Sequence, residues 1–333
     1  MGFTILGTGS ALPERSVSND ELSEFLDTSD EWIFTRTGIK SRHVCTTESL
    51  DDLAVAASEQ ALQASGIDAS QLDLIVCSTT TGDHLVPAEA CAVAERLGAT
   101  CPAFDVSAAC AGFVFALDVA EGYIARGRAK RVLVVAAEQM TRALDWTDRA
   151  TCVLFGDGAG AVLVEATEEE GVGVQNSYLR TDGKGLPFLH MKAGGSVCPP
   201  SHFTVAHRLH YLYQEGRTVF RYAVTDMSND VAEVMKRNEL TADDVKWVVP
   251  HEANLRIIEA VTKRIGLPMD KVVVNIERYG NTSAATIPLA LWDNEKNMKK
   301  GDNVIFTAFG AGFVHGASFC KWAYDGSEVA GAK

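Results

Sequence analysis

The feature that most constrains this 333-residue chain is a pattern of strand-to-helix junctions that occurs twice. Residues 71–78 read QLDLIVCS and residues 244–251 read DVKWVVPH; each follows a helix end and a turn, and each contains an apolar strand. Farther on, Ser107-Ala108-Ala109-Cys110 is echoed by Ser283-Ala284-Ala285-Thr286, again where a strand gives way to a helix. The offsets are 173 residues (251 − 78) and 176 residues (283 − 107). Chance could produce either match, but the shared order predicts one duplicated unit with small insertions. The expected division is a half spanning 1–170 and a half spanning 171–333, with the acidic run Glu168-Glu169-Glu170 as a solvated turn between them.

Local signals fill in that frame. Residues 3–7 read as a first strand. Ser18-Asn19-Asp20-Glu21 caps a helix through Leu26, and Thr28-Ser29-Asp30-Glu31-Trp32 opens another. An amphipathic helix is expected over 49–65, with Leu53, Ala57, Ala61 and Leu62 at helical spacing and Gly66 as its stop. Strands are expected over 72–79, 103–106 and 131–137, with a helix over 88–97. Apolar strands alternating with helices predict an α/β protein whose sheets are covered on both faces. The Gly-, Pro- and His-rich stretch 179–216 reads as an insertion over the core.

Two glycine-rich stretches divide between structure and chemistry. Gly156-Asp157-Gly158-Ala159-Gly160 leads into the apolar strand 161–164, whereas a dinucleotide fingerprint must open a helix. A tight bend is the expectation there. Gly310-Ala311-Gly312-Phe313 lies between two strands, where backbone can approach another group closely and offer an N–H to a substrate oxygen.

Charge and cysteine usage exclude several function classes. A net charge of −14 argues against general nucleic-acid or anionic-membrane binding, so an acidic partner would need a local basic patch. The apolar run 132–137 is far short of the roughly 20 residues of a membrane span. Residues 1–6 resemble a strand rather than an export signal. Eight cysteines show no CxxC pair and no Cys/His set at zinc spacing, which predicts reduced thiols, no metal centre and a cytoplasmic protein.

Three residues stand out as candidates for chemistry. Cys110 follows the strand 103–106 and precedes the apolar helical run from Ala111, where unpaired N–H groups and the helix dipole favour a thiolate. Taken alone, it fits a nucleophile or a small buried residue that lets the helix pack closely. His251 ends an apolar strand and fits a hydrogen-bonded structural role as well as a catalytic one. Asn281, in Tyr279-Gly280-Asn281-Thr282-Ser283, fits a helix cap as well as a catalytic amide. The duplication places the two helix starts face to face, and a Cys, a His and an Asn converging there would suit thioester chemistry.

The motifs DVSAACAGF around Cys110, HEANLRI from His251 and YGNTSAAT from Tyr279 resemble the three catalytic motifs of the β-ketoacyl-acyl carrier protein synthase III family. TSDEWIFTRTGIKSRH from Thr28 and FGDGAGAVLV from Phe155 match the same family. The resemblance covers essentially the whole chain. It implies a thiolase fold, a duplicated αβαβα five-layer sandwich with mixed sheets, working as a homodimer. It also implies condensation of a short acyl-CoA primer with malonyl-acyl carrier protein, with no cofactor beyond the acyl-CoA substrate. By resemblance, Cys110 carries the acyl group, while His251 and Asn281 hold the enolate left by decarboxylation. Backbone near Ala311 supplies oxyanion donors, and Phe309 packs beside the site. Trp32 and Arg149 sandwich the CoA adenine, Thr28 and Arg36 lie near the nucleotide, and Gly216 and Asn254 contact the pantetheine arm. The carrier protein is expected on 252–256, that is Glu252, Ala253, Asn254, Leu255 and Arg256, together with Arg221, Lys263 and Arg264. Three positions depart from the family's usual residues. Glu252 stands for Gln and His315 for Trp. Val86, expected to line the acyl pocket, stands for a bulkier Phe and leaves room for longer or branched primers. A related condensing enzyme of secondary metabolism, using another primer or acceptor, is the alternative.

Overall fold

The computed structural model describes residues 2–327. Its helix starts follow the local chemistry. Ser18, Ser29 and Ser49 each accept a hydrogen bond from a backbone N–H in the first helical turn. At Leu50–Ser65 the bond is reciprocal, because the Asp52 carboxylate accepts the Ser49 N–H at 2.9 Å. Gly66 then ends that helix in a left-handed conformation at φ 69°.

Nine strands form one hydrogen-bonded sheet. In spatial order they are Trp247–Pro250, Asn303–Gly310, Val314–Lys321, Gly173–Thr181, Gly2–Ala11, Asp157–Thr167, Arg131–Gln139, Leu74–Ser78 and Ala103–Val106. The centre of this sheet is a seam, where one pairing, Phe3 with Val174, joins Gly2–Ala11 to Gly173–Thr181. On either side the strands run in the same pattern. Leu74–Ser78 is parallel to Arg131–Gln139, as Trp247–Pro250 is to Asn303–Gly310. An antiparallel pair then leads to the seam in each half. The first half has a fifth strand, Ala103–Val106; in the second half that place holds a single parallel bridge between Val248 and Val272.

Side-chain alternation turns this arrangement into five layers. Along Leu74–Ser78, Leu74 and Val76 point to the core between the halves, while Ile75 and Cys77 face the helices Leu50–Ser65 and Glu89–Leu97. Val304 and Phe306 likewise face inward, and Ile305 faces the helices Gly216–Arg237 and Leu255–Ile265. The central layer is the helix pair Gly112–Ala125 and Thr286–Asn294, apolar nearly all round because both faces are covered. Each fully buried Leu, Val, Ile or Phe there contributes roughly 1.5–3 kcal/mol.

The structure corrects three expectations. Residues 156–160 do not form a bend before the strand: Asp157–Thr167 already includes Gly158 and Gly160. A Cβ on Gly160 would lie 2.8 Å from the Pro288 Cβ, so the glycine lets the Thr286–Asn294 helix lie against the strand. The stretch 179–216 begins inside the strand Gly173–Thr181; only the part beyond it is an insertion, with a small two-stranded sheet of Leu189–Met191 and Leu212–Gln214. The duplication also has a different register at its helix starts. Ala109–Ala111 and Ser283–Ala285 are matching short turns, and Ala109 and Ser283 both have positive φ, 45° and 53°. The offset is therefore 174 (283 − 109), which pairs Cys110 with Ala284 rather than with Thr286. Runs of Ser and Ala look alike under a two-residue slip, whereas backbone conformation has one alignment.

Candidate active site

Cys110 sits in the turn Ala109–Ala111, just before the helix Gly112–Ala125. Its thiol opens into a cavity of about 260 Å³ that is also lined by His251, Asn281 and Phe309. The rest of the wall is mainly apolar, including Leu189, Val219, Phe220, Met227 and Ile257. Among the residues expected to touch substrate, Gly216, Ala253 and Asn254 also line it.

Backbone constraints aim the polar groups. The Asn281 N–H donates to the Leu154 carbonyl at 2.9 Å, and its own carbonyl accepts from the Gly156 N–H at 3.0 Å. The Asn281 side-chain oxygen accepts from the Ser283 N–H at 2.8 Å, which turns its NH₂ toward the cavity. This is also a local turn bond, so the capping role and the site role coincide.

His251 is buried, and its Nδ1 lies 2.8 Å from Thr286 Oγ1. The Thr286 hydroxyl donates its one proton to the Ser283 carbonyl at 3.0 Å. With that proton on the carbonyl, Nδ1 donates to Oγ1 and Nε2 accepts; turned to Nδ1, the same hydroxyl leaves the ring proton on Nε2. Burial lowers the His251 pKa to about 3, with the Ser283 backbone opposing, so the ring is neutral at physiological pH.

The cysteine differs from expectation. Burial pushes the Cys110 thiol up to about 12, and the charge of nearby Glu138 adds to the rise; the Ser283 hydroxyl opposes it. Desolvation thus favours the thiol and works against the thiolate that the helix terminus favours. Gly310 lies directly behind it: a Cβ there would be 2.7 Å from the Cys110 backbone nitrogen. The glycine turn thus meets the cysteine turn by close approach, and Ala311, half-buried beside Gly310, lies outside the cavity wall.

At the cavity mouth, the Arg36 and Arg149 guanidinium groups lie 4.6 Å and 5.1 Å from the Trp32 ring centroid. Ala150, next in the chain to Arg149, belongs to the cavity wall, and the Asn254 amide donates to the Arg36 carbonyl at 3.0 Å. Asn254 also caps the helix Leu255–Ile265. Thr28 Oγ1 is buried without a hydrogen-bond partner among the described residues. Arg221, Arg256, Lys263 and Arg264 are exposed on the packed helices Gly216–Arg237 and Leu255–Ile265.

Two expected site residues are elsewhere. Glu252 is fully buried, its carboxyl accepting from the Asn275 and Ile276 N–H groups, so it cannot contact a carrier protein. It holds the turn that leads to Asn281, and burial pushes its pKa up to about 8. Val86 is 85% exposed and does not line the cavity of its own chain. His315, the third departure, pairs with Asp230 at 2.7 Å and stacks beside Phe309 with ring centroids 6.2 Å apart. Burial lowers the His315 pKa, but the bond and charge of Asp230 outweigh this and leave it raised.

Sequence reasoning passed over Ser283, Thr286 and Glu138. The visible signal was Glu138, a carboxylate closing the apolar run 132–137.

The chain matches the family models for 3-oxoacyl-[acyl-carrier-protein] synthase III over residues 104–183 and for its C-terminal part over residues 235–322. It is 53% identical over 327 residues to β-ketoacyl-[acyl-carrier-protein] synthase III 2 of Bacteroides thetaiotaomicron, covering 97% of each chain. A crystal structure of the synthase III of Pseudomonas aeruginosa superposes with a TM-score of 0.90 at 39% identity, covering 97% of this chain and 99% of that one. The priming β-ketosynthase of the R1128 polyketide pathway also reaches a TM-score of 0.90, at 37% identity and 97% coverage of both chains.

Proposed function

This chain belongs to the β-ketoacyl-acyl carrier protein synthase III family, and from that premise we propose that Cys110, His251 and Asn281 carry its reaction. The enzyme is a condensing acyltransferase that starts fatty-acid synthesis. The observation that carries the residue assignment is their convergence on one mainly apolar cavity.

In the first half-reaction the Cys110 sulfur attacks the thioester carbonyl of a short acyl-CoA, CoA leaves, and the acyl group stays on sulfur. The backbone N–H of Cys110 is the donor nearest the developing oxyanion. In the second, malonyl-acyl carrier protein loses carbon dioxide, and its enolate oxygen takes hydrogen bonds from the Asn281 amide and His251 Nε2. The enolate carbon then attacks the acyl group on Cys110. Donation from Nε2 requires the other ring tautomer, reached when the Thr286 hydroxyl turns from the Ser283 carbonyl to Nδ1. Neither donor places a negative charge beside the enolate.

Trp32, Arg36 and Arg149 form the nucleotide end of the CoA site, with Arg149 moving off the Trp32 face to admit the adenine between them. The unpartnered Thr28 hydroxyl fits a contact there. Gly216, Asn254 and Ala253 face the pantetheine arm. The carrier protein docks on Arg221, Arg256, Lys263 and Arg264, without Glu252. The enzyme acts as a cytoplasmic homodimer, uses no cofactor beyond its CoA substrate, and divides into halves 1–170 and 171–333. Leu85 and Val86, exposed by 94% and 85%, form an apolar tip that reaches the acyl cavity of the other copy.

Incubation with labelled acetyl-CoA should place one acetyl group on Cys110, located by mass spectrometry. Label retained by Cys110→Ala would defeat the assignment.

A further inference from the structure

Arg42 is fully buried, and its guanidinium donates to three neutral oxygens: the Val153 carbonyl at 2.8 Å, the Asn19 side-chain oxygen at 2.9 Å and the Val17 carbonyl at 3.2 Å. Burial lowers its pKa to about 10, which leaves it a cation at physiological pH. A buried cation held by neutral oxygens alone is a poor source of stability. A planar fork of donors is well suited, however, to fixing two pieces of chain relative to each other.

One of those pieces brackets Asn281. Beside Val153, the Leu154 carbonyl accepts from the Asn281 N–H at 2.9 Å, and the Gly156 N–H donates to the Asn281 carbonyl at 3.0 Å. Phe155, between them, forms a parallel bridge with Asn281. The start of the Arg42 side chain lies at the same place. A Cβ on Gly156 would be 3.0 Å from the Arg42 Cβ, and one on Gly280, the residue before Asn281, would be 3.4 Å from it. Leu154 and Phe155 also line the cavity that Cys110 opens into. Resting on Asn281 as a donor to the enolate, we propose that Arg42 is a positioning residue for condensation, holding residues 153–156 so that the Asn281 amide meets the enolate oxygen.

The other piece is tied to the nucleotide end. The Asn19 amide donates to the Ile39 carbonyl at 2.7 Å and to Asp30 Oδ1 at 2.8 Å. Asp30 opens the helix Asp30–Thr37, which carries Trp32 and Arg36. One guanidinium nitrogen holds Asn19 and the other holds Val153, so the fork spans the two pieces. Among the described residues, no hydrogen bond of Arg42 goes to the turn Ala109–Ala111 that presents Cys110. The acylation step is therefore independent of the fork.

Two substitutions isolate it. Arg42→Ala keeps the Cβ that lies against Gly156 and Gly280 and removes the guanidinium. Arg42→Lys keeps the charge, but a single ammonium group cannot hold Val153 and Asn19 as two planar nitrogens do.

The two half-reactions are timed separately: acetyl-Cys110 formation at saturating acetyl-CoA, read by mass, and then loss of that acyl group when malonyl-acyl carrier protein is added. In Arg42→Ala, condensation should slow on the order of 10²-fold, the effect of a misplacement of about 1 Å, while acylation stays within about twofold of wild type. Arg42→Lys should show the same split with a smaller loss, and it decides the matter if Arg42→Ala does not fold. Arg42→Ala combined with Asn281→Ala should condense no more slowly than Asn281→Ala alone, because Arg42 acts through Asn281. Equal losses in both half-reactions, multiplicative losses in the double variant, or wild-type condensation by both Arg42 variants would overturn the proposal. Wild-type condensation by Asn281→Ala would instead overturn the role of Asn281, and the proposal with it.

Discussion

The two helix starts at the centre of the molecule share a backbone and differ in what they hang on it. In the first half, Ala109 (φ 45°) leads to Cys110, Ala111 and Gly112, and Ser78 ends the adjacent strand. In the second, Ser283 (φ 53°) leads to Ala284, Ala285 and Thr286, and His251 follows the strand Trp247–Pro250. The first junction is small: a Cβ on Gly112 would come 1.8 Å from Ser78 Oγ. The second is polar at three of the corresponding places, with Ser for Ala109, Thr for Gly112 and His for Ser78. Duplication thus lets one copy present the proposed nucleophile on a stripped backbone while the other supplies polar groups around it.

The largest expected effect breaks the polar side. His251→Ala should slow condensation on the order of 10²–10³-fold while the acyl-enzyme still forms, read as acetyl-Cys110 that accumulates when malonyl-acyl carrier protein is added. Acylation lost in parallel would mean that His251 serves both halves of the reaction.

Next comes the small side. Gly112→Ala should cost about 1–3 kcal/mol by overpacking against Ser78, measured as a fall in unfolding midpoint. Ser78→Ala in the same chain should recover part of that loss, since the closest atom is the Ser78 hydroxyl; a purely additive result would place the strain elsewhere.

Thr286→Val keeps the branched shape and removes the hydroxyl that meets His251 Nδ1. Condensation should fall roughly tenfold, the worth of one hydrogen bond of about 1.4 kcal/mol, with little change in acetyl-Cys110 formation.

Glu252→Gln leaves the reacting groups alone and acts on stability, with a dependence on pH. The folded pKa of about 8 lies above the ordinary 4.5, so the folded state holds the proton more tightly. Its contribution is complete below pH 4.5 and is lost as pH rises through 8. The variant should therefore melt close to wild type at pH 5 and above it at pH 9; parallel melting curves at both pH values would show that Glu252 does not titrate in this range.

The same contrast separates what could be read from residues alone. Helix starts at Ser18, Ser29 and Ser49, the strand Ala103–Val106 and the stop at Gly66 were legible because capping and periodicity act over a few residues. Cys110, His251 and Asn281 were legible as motifs, and the repeat supplied a reason for them to meet. Glu252 and Val86 were misplaced because burial is a property of the assembled chain: one side chain folds under its own turn, the other projects outward.

By itself, then, the sequence determined the alternating elements, their caps, the repeat of the strand-to-helix junction and the motifs that hold Cys110, His251 and Asn281, since each rests on short-range spacing and side-chain chemistry. Only the tertiary structure decided the register of the repeat, the meeting of His251 with Thr286 and the contact of Ser283 with Glu138. Ser283 meets Glu138 across 145 positions of sequence. A contact of that kind is set by how the halves pack, because no local preference reaches across so long a separation.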